Sequence, residues 1–414
     1  MRVYLLAGVF MTAFWATAFA QEPCSSFTYQ QQQSLVDPSF KTKMQAVETF
    51  IQQQKTTGSY ATQRGGSTYV ITIPVVVHVL YHTSDENVPD QFIINQLKTM
   101  TDCYRRLNAD SVNTPDRFKA LAADCEIEFK LAISDPNRKA TSGIIRKYTN
   151  TTKWMSDDKM KFASTGGDDA WDSKSYLNVW VCNLNYVLGY ATFPGGDATK
   201  DGVVINYNAM KWNKTMVHET GHWFGLHHTW GDSDCGDDYV DDTPKQSSPT
   251  PGCPSGIRLS CNNGPNGDMY MNYMDVTGDA CTNLFTEGQK ARIRAIFETG
   301  GARNAILTSY ALKTPTTTSE IPPPGEDGGQ PITVLPPKIF PNPAGNETTL
   351  DISDNKQLIG NTIIITNTQG QVVTTSYVNA KLTRVNVSML KPGIYFLTTK
   401  AHDGTSIKQK LVKL

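Results

Sequence analysis

Beyond its first twenty residues the chain has no apolar run long enough to cross a bilayer: the best, Ile73 to Tyr81, falls far short of the ~20 residues a spanning helix needs. It has no excess of charge either, and a formal net charge of −1 leaves no electrostatic footprint for nucleic acid or an anionic membrane surface. Internal repeats and coiled-coil heptads are absent, which sets aside solenoids and zippers. Histidine is scarce. Only seven occur in 414 residues, yet four of them fall within positions 218–228.

That segment, HETGHWFGLHH, dictates a chemistry. On a helix, residues four apart share a face, so His218 and His222 point two imidazoles at one ion while Glu219, one step round, reaches an adjacent water. Gly225 ends or bends the helix, because a residue without a Cβ takes positive φ at no steric cost, and His228 then approaches as third ligand. Three neutral imidazoles without a fourth protein ligand describe a catalytic zinc with an open position for water, since structural zinc sites close all four. Glu219 is the expected general base, with the metal as Lewis acid on a peptide carbonyl. Downstream, the segment MNYMDV supplies Met274 as an apolar floor for the metal site.

Met1 to Ala20 carries an early Arg, an apolar run and the small-residue ending Ala18-Phe19-Ala20, which reads as a secretory signal cut before Gln21. Export makes disulfides possible. Cys235, Cys253, Cys261 and Cys281 lie in a Gly-, Pro-, Asp- and Asn-rich loop that buries little, so bridges are its expected support. Cys103 and Cys125 are candidates for a third bridge, and Cys182, in the apolar YLNVWVCNL, reads as a buried thiol.

Residues 21–66 are Gln-rich and polar, with one helix-like stretch from Phe40 to Gln54, and read as a propeptide. Residues 67–312 alternate strands (YVITIPVVVHVLY from Tyr69, Glu126 to Ile133, 176–184, 201–207) with a helix over Asp90 to Leu107 before the histidine helix, which predicts an α+β domain with its sheet behind two main helices. Residues 313–337 form a Pro-rich linker. Residues 338–414 read as short strands separated by turns, with a hairpin loop at Asn367-Thr368-Gln369-Gly370, and so as a small all-β sandwich.

Over roughly residues 69–300 the chain resembles the pappalysin family of metzincin metalloproteases, in particular its ulilysin-like members. The likeness rests on IPVVVHVLY, YLNVWVCNL, LGYATFPG, DGVVINY, HETGHWFGLHHTW, DDYVDDTP, the four-cysteine loop, NYMD and FTEGQKARI, in that order. It implies a metzincin fold with a mixed sheet, zinc on His218, His222 and His228, Glu219 as base, and bridges pairing Cys235 with Cys261 and Cys253 with Cys281. It implies calcium near Asp238, Asp242 and Thr243, for which hard oxygen ligands are suited. It also implies a preference for Arg or Lys just after the cleaved bond, with Asp279 as the selecting carboxylate; the other reading of Asp279 is a surface turn residue. Cys24 stands where related zymogens carry a cysteine that caps the zinc; a bridge to Cys182 or a free thiol are the other readings. One position departs from the family: Val276 replaces the usual Tyr two residues after the methionine, leaving Tyr273 or another group as oxyanion donor.

Through IFPNPAGN, NTQGQVV, LKPGIYFLTTK and the basic KLVKL end, the last domain resembles the sorting domain of the type IX secretion system. The whole reads as a secreted or cell-surface zinc endopeptidase, with protein or peptide substrates, an outer-membrane secretion machinery as partner and no permanent membrane span. The alternative is a non-catalytic adhesin that keeps zinc for structure, against which Glu219 argues, since a structural site has no use for a base.

Overall fold

A computed structural model describes residues 22–57, 69–211, 214–316, 338–352, 362–378, 382–400 and 406–414. The signal segment, Arg64-Gly65-Gly66 and most of the Pro-rich linker lie outside the described residues.

The domain that carries the histidine segment is organised around β2 (Ile71–Tyr81), whose residues are almost all buried. A parallel strand covered on both faces has no solvent side, which is why ITIPVVVHVLY is nearly continuously apolar. Its first half pairs in parallel with β3 (Ile127–Leu131), its second half with β4 (Ile144–Tyr148), and its other edge with β5 (Leu177–Cys182). Beyond β5 come β7 (Val203–Asn206) and then β6 (Val187–Ala191), which runs antiparallel to β7 and makes the sheet mixed. Strands β4 and β6 were not expected from the sequence: β4 is half-exposed and carries Arg146 and Lys147, and β6 is interrupted by Gly189.

Helix α3 (Asp90–Tyr104) and the histidine helix α4 (Thr215–Trp223) share the core that backs the sheet, and the Tyr104 hydroxyl donates to the Val217 carbonyl at 3.0 Å. Helix α5 (Glu287–Ala295) begins with a capping box in which Thr286 and Gln289 satisfy each other's backbone amides. The far end of α4 is anchored by Arg303, which forms a bidentate pair with Asp201 at 2.6 and 2.8 Å and stacks over Trp223 at 4.0 Å.

The N-terminal segment differs from its sequence reading. Instead of one helix over Phe40 to Gln54 there is a short strand β1 (Glu22–Cys24), helix α1 (Ser26–Val36) and helix α2 (Pro38–Thr57). Nothing apolar and periodic marks α1, which buries only Ser26 and Tyr29. The two helices part at Asp37, held extended before Pro38, and proline then opens α2 at a position where its missing N–H costs nothing.

The C-terminal domain consists, among the described residues, of two antiparallel sheets. One orders β11 (Val372–Tyr377), β10 (Thr362–Thr366), β13 (Gly393–Lys400) and β14 (Ser406–Lys413); the other orders β12 (Leu382–Asn386), β9 (Glu347–Asp351) and β8 (Lys338–Phe340). Leu350, Ile363, Ile365, Val385, Leu397 and Leu411 fill its core. Asn367 to Gly370 forms the hairpin turn, with Gly370 at φ 80°.

Candidate metal centre

Residues Met216 to Trp223 of α4 are all buried. The helix stops by a Schellman arrangement: Gly225 takes φ 90°, its amide reaches the His222 carbonyl at 2.8 Å, and the Leu226 amide reaches the Gly221 carbonyl at 2.9 Å. That turn carries the chain back to His228. Below the helix lies fully buried Met274; a Cβ on Gly221 would stand 2.4 Å from its sulfur, so glycine there allows the methionine to approach.

Each histidine has its Nδ1 committed. His218 Nδ1 is 2.7 Å from the Tyr273 carbonyl, His222 Nδ1 is 2.8 Å from the Leu226 carbonyl, and His228 Nδ1 is 2.5 Å from the Asp232 carboxylate. Since these partners are acceptors, the proton sits on Nδ1 and the Nε2 lone pairs are left to converge. The three Nε2 atoms lie 3.1, 3.1 and 3.2 Å apart. Tetrahedral ligation at ordinary zinc–nitrogen lengths calls for about 3.3 Å, so the set fits zinc, whereas three facing lone pairs without a cation would repel. Burial pushes His218 down to about 3 and His222 below its ordinary value, which keeps both rings neutral, as ligands must be.

Glu219 is fully buried, and burial raises its carboxyl to about 8. Its Oε2 accepts from the Ser26 hydroxyl at 2.7 Å and lies 3.5 Å from Cys24 Sγ; its Oε1 has no partner among the described residues. Cys24 Sγ is also 3.5 Å from His222 Nε2, and its sulfur and the three histidine nitrogens all lie within 4.8 Å of one another. Backbone pairing puts the thiol there: β1 adds to the free edge of β6 in parallel, with Cys24 opposite Gly189, the Ser25 amide on the Gly189 carbonyl and the Ala191 amide on the Ser26 hydroxyl. Farther along, Glu48 of α2 makes a bidentate pair with Arg292 at 2.9 and 2.7 Å. Arg292 is only 1% exposed, and it also donates to the Gly225 carbonyl that ends the histidine helix.

The remaining sequence-stated residues fall differently. Asp238 is buried, which raises it to about 7, and accepts from the Thr243 hydroxyl at 2.7 Å. Asp242 is turned to the start of α5, accepting from Thr286 and the Gly288 amide at 2.7 and 2.8 Å. Asp279 is exposed, with one oxygen on the Lys214 amide at the start of α4. Disulfides join Cys235 to Cys261 and Cys253 to Cys281. Cys182 is a buried free thiol, and Cys24 is not bridged to it. Cys103 and Cys125 are not bridged either, contrary to the sequence expectation: both are buried and free, with Cys103 beside the Tyr273 hydroxyl. Tyr273 is not placed as an oxyanion donor either, because it is 2% exposed and packs within the core against Phe285. Ser26, Asp232 and the Glu48–Arg292 pair were not found from the sequence; Asp232 offered one signal, an acid four residues after a ligand histidine.

Fold and site together define a metzincin-type metalloprotease domain. The chain belongs to the M43 peptidase family, described by pregnancy-associated plasma protein-A, whose model matches residues 163–298; a second model, the secretion system C-terminal sorting domain, matches 338–413. An extracellular metalloprotease of Verticillium alfalfae is 41% identical over 57% of this chain and 80% of its own length. One from Pyricularia oryzae is 44% identical, but over 27% of this chain, which spans only 44% of that relative. Among solved structures, a promirolysin mutant of Tannerella forsythia is 39% identical over 72% of this chain and 100% of its own, with a TM-score of 0.64.

Proposed function

We propose that the chain is the latent precursor of a secreted zinc endopeptidase. The observation that carries this reading is the convergence of three Nε2 atoms beside the buried Glu219 carboxylate, with the Cys24 sulfur within 4.8 Å of them. His218, His222 and His228 hold the metal and Met274 supports their helix. Bound zinc supplies Lewis acidity toward a peptide carbonyl and acidifies a water. Glu219 is assigned to take the proton at a carboxylate oxygen and to return it to the leaving amine.

In the latent form Cys24 would complete the ligand set of the metal, and Ser26 hydrogen-bonds one of the two Glu219 carboxylate oxygens. One short segment therefore touches both the metal site and the base. Residues 21–66 act as the propeptide and leave on maturation. Asp279 is assigned the preference for Arg or Lys after the cleaved bond, and its exposure to solvent is compatible with a substrate contact. Calcium is assigned to the Asp238, Asp242 and Thr243 loop on the family likeness alone, since the Asp238 oxygens accept from the Val240 amide and the Thr243 hydroxyl and Asp242 is turned to α5. The sorting domain is assigned to recognition by an outer-membrane secretion machinery. Among the described residues no helix is long and apolar enough to cross a membrane.

The test is Glu219→Ala in the matured enzyme. Zinc content and thermal unfolding are expected to stay as in the wild type while peptide hydrolysis falls by at least about a thousandfold. Near-wild-type turnover in a zinc-loaded variant would sink the mechanism.

A further inference from the structure

Tyr29 belongs to the N-terminal segment, yet its side chain is part of the domain's own core. It is 2% exposed and packs in one cluster with Leu80, Met160, Trp180, Tyr190 and Val204. Its ring lies 4.7 Å from that of Tyr190, and its hydroxyl donates to both oxygens of Asp158 at 2.9 and 3.0 Å. Asp158 is itself buried and held at φ 66°, and it takes a further bond from Gln33 of the same removable helix. When the segment leaves, a shaped hole remains, with buried Asp158 at its base: it loses the Tyr29 and Gln33 donors and keeps Lys161 at 2.9 Å and a long 3.5 Å bond from the Tyr190 hydroxyl. Removing good donors from a buried acceptor carries a cost even where an ion pair stays.

The hole opens beside the edge that a substrate would use. Releasing β1 frees the Gly189 carbonyl and the Ala191 amide of β6, a row of backbone groups suited to an added strand. Alternate side chains of such a strand face opposite ways. Gly189 faces Glu219 and the metal side, as the 2.9 Å approach of its would-be Cβ to Glu219 Cγ attests, whereas Tyr190 faces the hole. We propose that this hole is a side-chain subsite of the mature enzyme that takes a tyrosine of the substrate, with Asp158 accepting its hydroxyl. The proposal rests on the proteolytic reading above.

The charges choose the occupant. Asp158 keeps Lys161 at 2.9 Å and Lys200 at 3.6 Å, while nearby Asp201 is taken by Arg303. Two cations therefore face one available carboxylate, so an arginine or lysine side chain is repelled where a neutral phenol is not. Phenylalanine fits the aromatic walls but brings no donor to replace the one that Tyr29 supplied. This subsite is thus opposite in preference to the one assigned to Asp279.

The experiment uses matured wild-type enzyme and Asp158→Asn, an exchange that keeps the shape and tolerates positive φ. Peptide sets carry Tyr, Phe or Arg in turn at each position within about three residues of the scissile bond, the reach of one short added strand. At one position the wild type is expected to favour Tyr over Phe by about tenfold in kcat/KM, with Arg below both, and Asp158→Asn to bring the Tyr/Phe ratio under about twofold. Because the wild-type ratio needs no variant, it stands even if Asp158→Asn folds poorly. Cleavage with no Tyr preference at any position, or a preference unchanged in Asp158→Asn, overturns the subsite. A zinc-loaded mature protein that cleaves no peptide overturns the proteolytic reading and the subsite together.

Discussion

The histidine ligands are enclosed from two sides that are built from different materials. Beneath them Met274, Tyr273, Phe285 and Ile293 belong to one continuous apolar core with α4, fully or almost fully buried. Above them the N-terminal segment reaches the same site mainly through a thiol, a hydroxyl, the pairing of β1 with β6 and an ion pair, with Tyr29, Phe40 and Ile51 as buried apolar anchors, of which Ile51 joins that same core. Apolar burial has no substitute in water, whereas each polar contact is exchanged for a water contact at a net cost of only about 0.5–1.5 kcal/mol. The floor therefore rests on apolar burial throughout, and the roof, its three anchors aside, on contacts that water can replace. Latency and a stable metal site are compatible because they draw on different interactions.

Substitutions on the two sides should separate these roles. Met274→Ala removes a buried side chain from under Gly221 and should cost about 2–5 kcal/mol in latent and mature forms alike, read as a fall in thermal midpoint with zinc bound. A loss confined to the latent form would break the comparison. Glu48→Ala strips the partner from a buried guanidinium; because Glu48 is itself 24% exposed, we discount the cost of a fully buried pair to about 1–3 kcal/mol. On the proposed maturation, which removes Glu48 with its segment, that loss should appear only in the latent form.

Smaller still is the expected effect of Cys24→Ala. The backbone pairing with β6, Ser26 and the Glu48 pair all remain, so self-activation should quicken by roughly tenfold, or about 1.4 kcal/mol, rather than latency being abolished. X-ray absorption of the wild-type zymogen checks the premise: absence of zinc–sulfur scattering would remove Cys24 from the lock.

What could be read in the sequence follows the same division. The floor side was legible because its signals are local: β2 and β5 are nearly unbroken apolar runs, and ligand spacing on α4 together with Gly225 dictates where three imidazoles can meet. The roof was not. Its strand and first helix are polar, and its decisive contacts join residues as far apart in the chain as Glu48 and Arg292, for which no periodicity exists. Direction was the other missing quantity. Cys103 and Cys125 had the count and compartment for a bridge yet remain free buried thiols, and Tyr273, beside the methionine, is buried in the core.

The weakest expected effect concerns Asp279, where structure tempers the sequence expectation. A buried carboxylate facing an arginine would discriminate strongly, but Asp279 is exposed and one oxygen already accepts the Lys214 amide. Exposed ion pairs contribute about 0.2–1 kcal/mol, so the preference for Arg or Lys after the cleaved bond should be no more than about fivefold, and Asp279→Ala should flatten it while leaving neutral peptides unaffected. Lys214 sharpens the point. Its ammonium binds the Asp279 carbonyl at 2.9 Å as well as Asp110, which keeps a competing cation beside the carboxylate and lowers its draw on a substrate cation further. Cleavage profiling of both enzymes at low and high salt decides it. A preference that is strong, insensitive to salt and unchanged by Asp279→Ala would mean that another, more deeply set carboxylate reads the residue after the bond.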